Sequence, residues 1–110
     1  QPLVIVEGVF DAINAGGNIV PILGSTLDEQ HPLFQKIIEH NTTIYLALDH
    51  DAQKKEVSIA RSLRAYGIDV YKINTKGYQD VGVMPRNIYH NRKKTAKIFT
   101  ETSLLSHRLL

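Results

Sequence analysis

The sequence predicts an α/β domain: a four-stranded parallel sheet in the order 2-1-3-4, flanked by helices. Three observations lead there. Short β-branched runs alternate with segments whose apolar residues recur at helical spacing, giving the order β-α-β-α-β-α-β. The helical segments are about as long as right-handed crossovers require. The first run, Leu3-Val4-Ile5-Val6, is continuously apolar, as befits a strand covered on both faces of a parallel sheet.

Each element has its own signal. The first strand ends at Glu7-Gly8, and residues 9 to 16 read as a short helix stopped by Gly16-Gly17. The second strand, Ile19 to Leu23, contains Pro21, which cannot donate to a ladder and therefore belongs at a sheet edge. Leu33, Phe34, Ile37 and Ile38 place a helix over residues 32 to 40, ended by Asn41-Thr42. Thr43 to Leu48 is the third strand. Residues 52 to 66 form the longest helix, with Val57, Ala60 and Leu63 on one stripe, charges elsewhere and Gly67 as its stop. Val70 to Ile73 is the fourth strand. Residues 1 to 84 form the domain. After Pro85 the periodicity fades, and residues 85 to 110 read as a basic tail or linker, with helix expected over 86 to 99 and disorder over the last ten.

A length of 110 residues allows one domain with a modest core. The chain has no cysteine, which excludes disulfides, thiol nucleophiles and thiolate zinc sites and fits a cytoplasmic setting. No apolar run approaches the ~20 residues of a membrane helix, so no membrane partner is expected. The start at Gln1 rather than Met, with a strand entered almost at once, suggests a piece of a longer polypeptide. The net charge of +2 divides unevenly: residues 1 to 84 hold seven Lys/Arg and ten Asp/Glu, residues 85 to 110 six Lys/Arg and Glu101. Arg92-Lys93-Lys94 and Lys97 suit either phosphate contact or a solvated linker. Neither GxxxxGK[ST] nor GxGxxG after a strand occurs, so triphosphate motors and dinucleotide enzymes are excluded.

Ligands of open parallel sheets gather beyond the carboxyl ends of the strands, where the winding reverses. In the order 2-1-3-4 that point lies between strands one and three, so Glu7 faces Asp49. If the segment after strand three is extended, Asp49 and Asp51 point the same way with Cα atoms ~6.5 Å apart, and His50 points away. Three converging carboxylates repel one another unless a cation joins them. Mg²⁺, or Mn²⁺ in its place, suits oxygen ligands and leaves room for phosphate oxygens. Asp11 is either a further metal-site acid or a helix first-turn acid, and Asp80 either completes the cluster or is a plain loop residue. Ser25 and Thr26 after Gly24 read as phosphate contacts or a helix cap. Lys72 and Lys76 are candidate phosphate contacts or ordinary surface lysines.

Val4-Ile5-Val6-Glu7-Gly8-Val9-Phe10-Asp11-Ala12 together with Leu46-Ala47-Leu48-Asp49-His50-Asp51 resembles the toprim domain, a Rossmann-like module of DnaG-type primases, topoisomerases, OLD-family nucleases and RecR-type repair proteins. The likeness spans about residues 3 to 84. Asp11 after the Glu-Gly looks like the primase version, and the Gly24-Ser25-Thr26 turn and Gln79-Asp80-Val81-Gly82 look like the bacteriophage-type primases. The resemblance implies metal-dependent synthesis of RNA primers on single-stranded DNA from ribonucleoside triphosphates, with a replicative helicase as partner. It assigns Glu7 as general acid/base or metal ligand, Asp49 and Asp51 as principal Mg²⁺ ligands, and Asp11 and Asp80 as supporting acids. The chain departs from the pattern at Ala52-Gln53-Lys54-Lys55, where bacterial primases carry a small pair, and at Gln79, where a lysine is common. A toprim nuclease or topoisomerase fragment, or a non-catalytic RecR-like interaction module, are the alternative readings.

Overall fold

Alternation along the two central strands divides the apolar side chains between two cores, one on each face of the sheet. The computed structural model describes residues 1–15 and 17–104, the side chains of 13–15 excepted. Strand β1 (Leu3–Val6) sends Ile5 to one face and Val4 and Val6 to the other. Strand β3 (Ile44–Ala47) matches it in parallel register, with Ile5 opposite Leu46 and Val6 opposite Ala47. Both faces are covered, so neither strand shows the apolar-polar alternation of a half-solvated sheet.

The elements that cover them arise from local signals. Helix α1 (Val9–Ala15) starts on Gly8, whose amide donates to Asp11 Oδ2 at 3.0 Å, the reach-back of a third-position acid to its N-cap. Helix α2 (Pro32–His40) is capped by His31, whose Nδ1 accepts from the Leu33 amide at 3.1 Å, and has Pro32 at its first position. It closes on Asn41 in the left-handed region at φ 50°. Helix α3 (Gln53–Ala65) buries Val57, Ile59, Ala60 and Leu63. Helices α2 and α3 cover the Ile5 face through Phe34, Ile37 and Leu63, and α1 and helix α4 (Arg86–Lys94) cover the Val4/Val6 face through Ala12 and Tyr89.

Strand β2 (Ile19–Pro21) pairs in parallel with β1 at the sheet edge, where the missing amide of Pro21 breaks no ladder. Strand β4 (Val70–Lys72) pairs in parallel with β3. The expected four-stranded, all-parallel sheet is corrected at this edge. A fifth strand, β5 (Lys97–Ile98), pairs antiparallel with β4, and the order is β2-β1-β3-β4-β5.

The boundary placed after residue 84 is likewise not a structural one. Helix α4 ends at Lys94 rather than running toward residue 99, and the chain then turns back along the β4 edge. Tyr89 lies in one core, and Phe99 and Leu104 lie in the other. A radius of gyration of 12.9 Å agrees with the about 13 Å of a single domain near this length. Of the expected disordered last ten residues, 105–110 lie outside the described residues, as does the first glycine of the expected Gly16-Gly17 stop. Among the described residues, no helix is long and apolar enough to cross a membrane.

Candidate metal centre

The carboxyl ends of β1 and β3 and the loop after β4 meet at one end of the sheet, each carrying an acid. Asp49 follows β3 directly. The loop after β4 is drawn to it because the His50 amide donates to the Gln79 carbonyl at 3.2 Å, which sets Asp80 beside Asp49. Asp11, on the first turn of α1, is fixed at both oxygens: Oδ2 accepts from Gly8 and Oδ1 accepts from Gly82 at 2.9 Å. Asp80 Oδ1 accepts from the Val83 amide at 3.2 Å and caps the 3-10 turn Val81–Val83. As a result, one carboxylate oxygen from each of Asp11, Asp49 and Asp80 lies within 4.8 Å of the others.

These three acids could hold a metal ion. Asp11 is 6% exposed and the other two are half-buried. Asp49 Oδ1 is buried with no hydrogen-bond partner, an arrangement that is costly for a carboxylate unless a cation meets it. The Asp49 carboxyl is pushed up to about 6, first by burial and then by the charges of Asp11, Asp80, Glu7 and Asp51. The Asp11 carboxyl is raised by burial against the lowering effect of the Gly8 and Gly82 amides, and Asp80 raises it further. A divalent cation relieves each of these penalties. An all-oxygen, carboxylate-rich donor set fits a hard ion such as Mg²⁺ or Mn²⁺.

The other expected residues are distributed around this cluster. Glu7, at the end of β1, holds Lys55 at 3.1 Å through Oε1, which also accepts from the Gly24 amide at 3.1 Å. Its Oε2 is buried without a hydrogen-bond partner. Asp51 lies outside the three acids whose oxygens converge. The segment is not extended, because the 3-10 turn His50–Ala52 begins at once and the two-residue alternation of a strand does not apply. Asp51 is exposed, at the mouth of an open cleft of about 980 Å³ lined by Glu7, Asp49, His50, Asp51 and the start of α3. Asp49 belongs to both cleft and cluster.

Of the candidate phosphate contacts, Lys72 is engaged elsewhere: its ammonium pairs with the buried Glu56. Lys76 is exposed on the loop after β4. Ser25 and Thr26 cap no helix, since α2 starts at Pro32; Ser25 Oγ is buried without a hydrogen-bond partner and Thr26 is exposed. Arg92 donates to the carbonyls of Asn74 and Lys76 at 2.7 and 2.9 Å and lies over the Tyr78 ring, so it clamps the loop that delivers Asp80. Lys93 lies over the Tyr45 ring.

Glu56 was not singled out by sequence. It is 2% exposed, and its Oε2 accepts from the Leu48 amide at 3.0 Å, one residue before Asp49. Its spacing to Ala60 and Leu63, four and seven residues on, puts it on the buried stripe of α3, a signal that periodicity offered. Lys55 gave no comparable signal, because only the fold brings it to Glu7. No protein-family model matches the chain, and no curated protein matches it significantly.

Proposed function

We propose that the chain is the metal-binding catalytic domain of a nucleotidyl-transfer enzyme of the toprim kind, most like that of a DNA primase. The carrying observation is the convergence of Asp11, Asp49 and Asp80 beyond the carboxyl ends of neighbouring parallel strands, with a buried carboxylate oxygen of Asp49 left unpartnered. The Glu-Gly and Asp-x-Asp motifs at those same strand ends support the toprim reading, and Asp11, the Gly24-Ser25-Thr26 turn and Gln79-Asp80-Val81-Gly82 support the primase one.

In this reading Asp11, Asp49 and Asp80 hold Mg²⁺ or Mn²⁺. The ion, when bound, supplies charge stabilisation for phosphoryl transfer. Asp11 is positioned for the task by two amides, of Gly8 and Gly82, that donate one to each of its oxygens. Glu7, oriented by Lys55 and Gly24, accepts a proton at Oε2 from an attacking hydroxyl at the cleft. Template DNA, ribonucleoside triphosphates and a replicative helicase engage through the full-length protein.

Primer synthesis by that full-length protein tests the reading. Asp49→Asn and Asp80→Asn each lower the rate by at least about a hundredfold with folding retained, on the scale of lost charge stabilisation. Wild-type rates in both variants would overturn it.

A further inference from the structure

The solvent face of α4 is built from hydrogen-bond donors. Its exposed side chains are Arg86, Asn87, His90, Asn91 and Lys94, and no acid occurs between Asp80 and Glu101. Arg86, His90 and Lys94 follow one another at four-residue steps and form one row, with Asn87 and Asn91 in a second row beside it. Among the described residues, none of these side chains has a hydrogen-bond or ion-pair partner. The helix's other cations are used by the fold: Arg92 clamps the loop after β4, and Lys93 lies over the Tyr45 ring. Ile88 and Tyr89 pack the opposite face into the core, so the row stands on an anchored helix rather than on a linker. An ordinary solvated face intersperses acids with bases, as α2 does with Lys36 and Glu39.

The row starts close to the candidate metal centre. Gly82, bonded to Asp11, lies four residues before Arg86, and α4 packs against α1. Two exposed apolar side chains, Phe10 at 83% and Val83 at 61%, each stand one residue from that Asp11–Gly82 bond. The row then runs ~12 Å along the helix to Lys94, with a residue every ~6 Å, and exposed Lys97 on β5 follows it.

We propose that this face of α4 carries the backbone of a single-stranded nucleic acid, one of whose bases stacks on Phe10. The inference rests on the nucleotidyl-transfer reading and gives its polymer substrate a surface on this chain. Arginine, lysine, imidazole and amide donors suit phosphate oxygens, and contacts of that kind position a strand without reading its sequence. The exposed apolar side chains decide between one strand and two. In a duplex the bases are stacked on one another and leave Phe10 and Val83 in water. An unpaired base offers its face to the Phe10 ring, the combination of basic track and aromatic platform by which single strands are held.

Fluorescence anisotropy of a labelled single-stranded oligothymidylate tests this on the intact chain, with a chelator present so that no divalent ion takes part. Wild type binds, and its affinity falls as salt rises. Arg86→Gln/Lys94→Gln, with its fold intact by circular dichroism, weakens binding at least about tenfold. It also lowers the slope of log affinity against log salt by roughly 1.4, the loss of two single-strand phosphate contacts. Lys36→Gln/Arg64→Gln, which removes the same charge from α2 and α3, leaves affinity and slope unchanged. Phe10→Ala weakens binding at least about fivefold, the lower bound for one stacked base, with the slope unmoved. No binding by the wild type, an unmoved slope in Arg86→Gln/Lys94→Gln, or a duplex or base-free polyphosphate bound as tightly as the single strand would overturn the proposal. Primer synthesis by Asp49→Asn tests the catalytic reading without touching these affinities, so failure of either is told apart from failure of the other.

Discussion

The amide of Gly82 donates to Asp11 Oδ1 at 2.9 Å, joining two residues 71 positions apart and fastening the loop after β4 onto the first turn of α1. A Cβ on Gly82 would stand 2.8 Å from that same oxygen and 3.0 Å from Asp80 Oδ1. The glycine gives room for this close approach of backbone to two carboxylates, one of which would have to shift to admit a Cβ. Gly82→Ala should therefore push the acids apart, weaken Mn²⁺ binding at least about tenfold and cost about 1–2 kcal/mol of stability. Gly8→Ala is the control, since its Cβ would lie at an ordinary 3.4 Å from Asp11 Oδ2. Titration and thermal melting of both variants check the contrast.

Glu56 accepts from the Leu48 amide and pairs with Lys72 while almost fully buried. Removing it leaves a buried donor and an ammonium without their partner. Glu56→Ala should destabilise the domain by about 3–5 kcal/mol, and Glu56→Gln, which can still accept from Leu48, by less. Urea denaturation measures both. Equal losses would show that the Leu48 hydrogen bond contributes little to anchoring the Asp49 segment.

Metal affinity should depend on pH through Asp49. Its ordinary value is 3.8 and its value in the fold is about 6. Between those values the folded chain keeps a proton that the unfolded chain has released, so the stability contributed by this group falls as pH rises from about 4 to 6 and is constant above. A cation must displace that proton. Mn²⁺ affinity should rise by about tenfold per pH unit below 6 and flatten above 7. A flat profile between pH 5 and 7 contradicts the assignment.

Tyr89 is 2% exposed, its hydroxyl has no hydrogen-bond partner, and burial pushes its phenol up to about 12. Tyr89→Phe removes an unsatisfied polar atom and leaves nothing else unpaired. It should stabilise the domain by about 1 kcal/mol, read as a rise in melting temperature. A fall would reveal a bonded hydroxyl.

The residues legible in the sequence were those whose environment is set locally. Val4, Ile5 and Val6 announce a doubly covered strand, Pro21 an edge, and Leu33 to Ile38 a helix. Asp49 was readable because it ends such a strand. The extended segment expected over Asp49 to Asp51 gives way to a 3-10 turn that begins at His50. Asp80 was among the candidate acids, but its place depends on a hydrogen bond from His50 to Gln79, which the chain order alone left open; that of Lys55 depends on the pairing of β1 with β3 and could not be read along the chain. Strand β5 has two residues, one of them Lys97, too few for any periodicity; only its pairing with β4 makes it a strand. The basic cluster of α4 suits either phosphate contact or a solvated linker by composition, whereas in the fold Arg92 bonds to backbone carbonyls within the chain.

The central claim is that Asp11, Asp49 and Asp80 bind a divalent cation, and nuclear magnetic resonance titration tests it most directly. Mg²⁺ should shift the amides of Gly8, Gly82 and residues 48 to 52 in the wild type, Mn²⁺ should broaden the same signals, and Asp49→Asn should abolish both responses. An unresponsive wild type, or a variant that responds equally, would contradict the account.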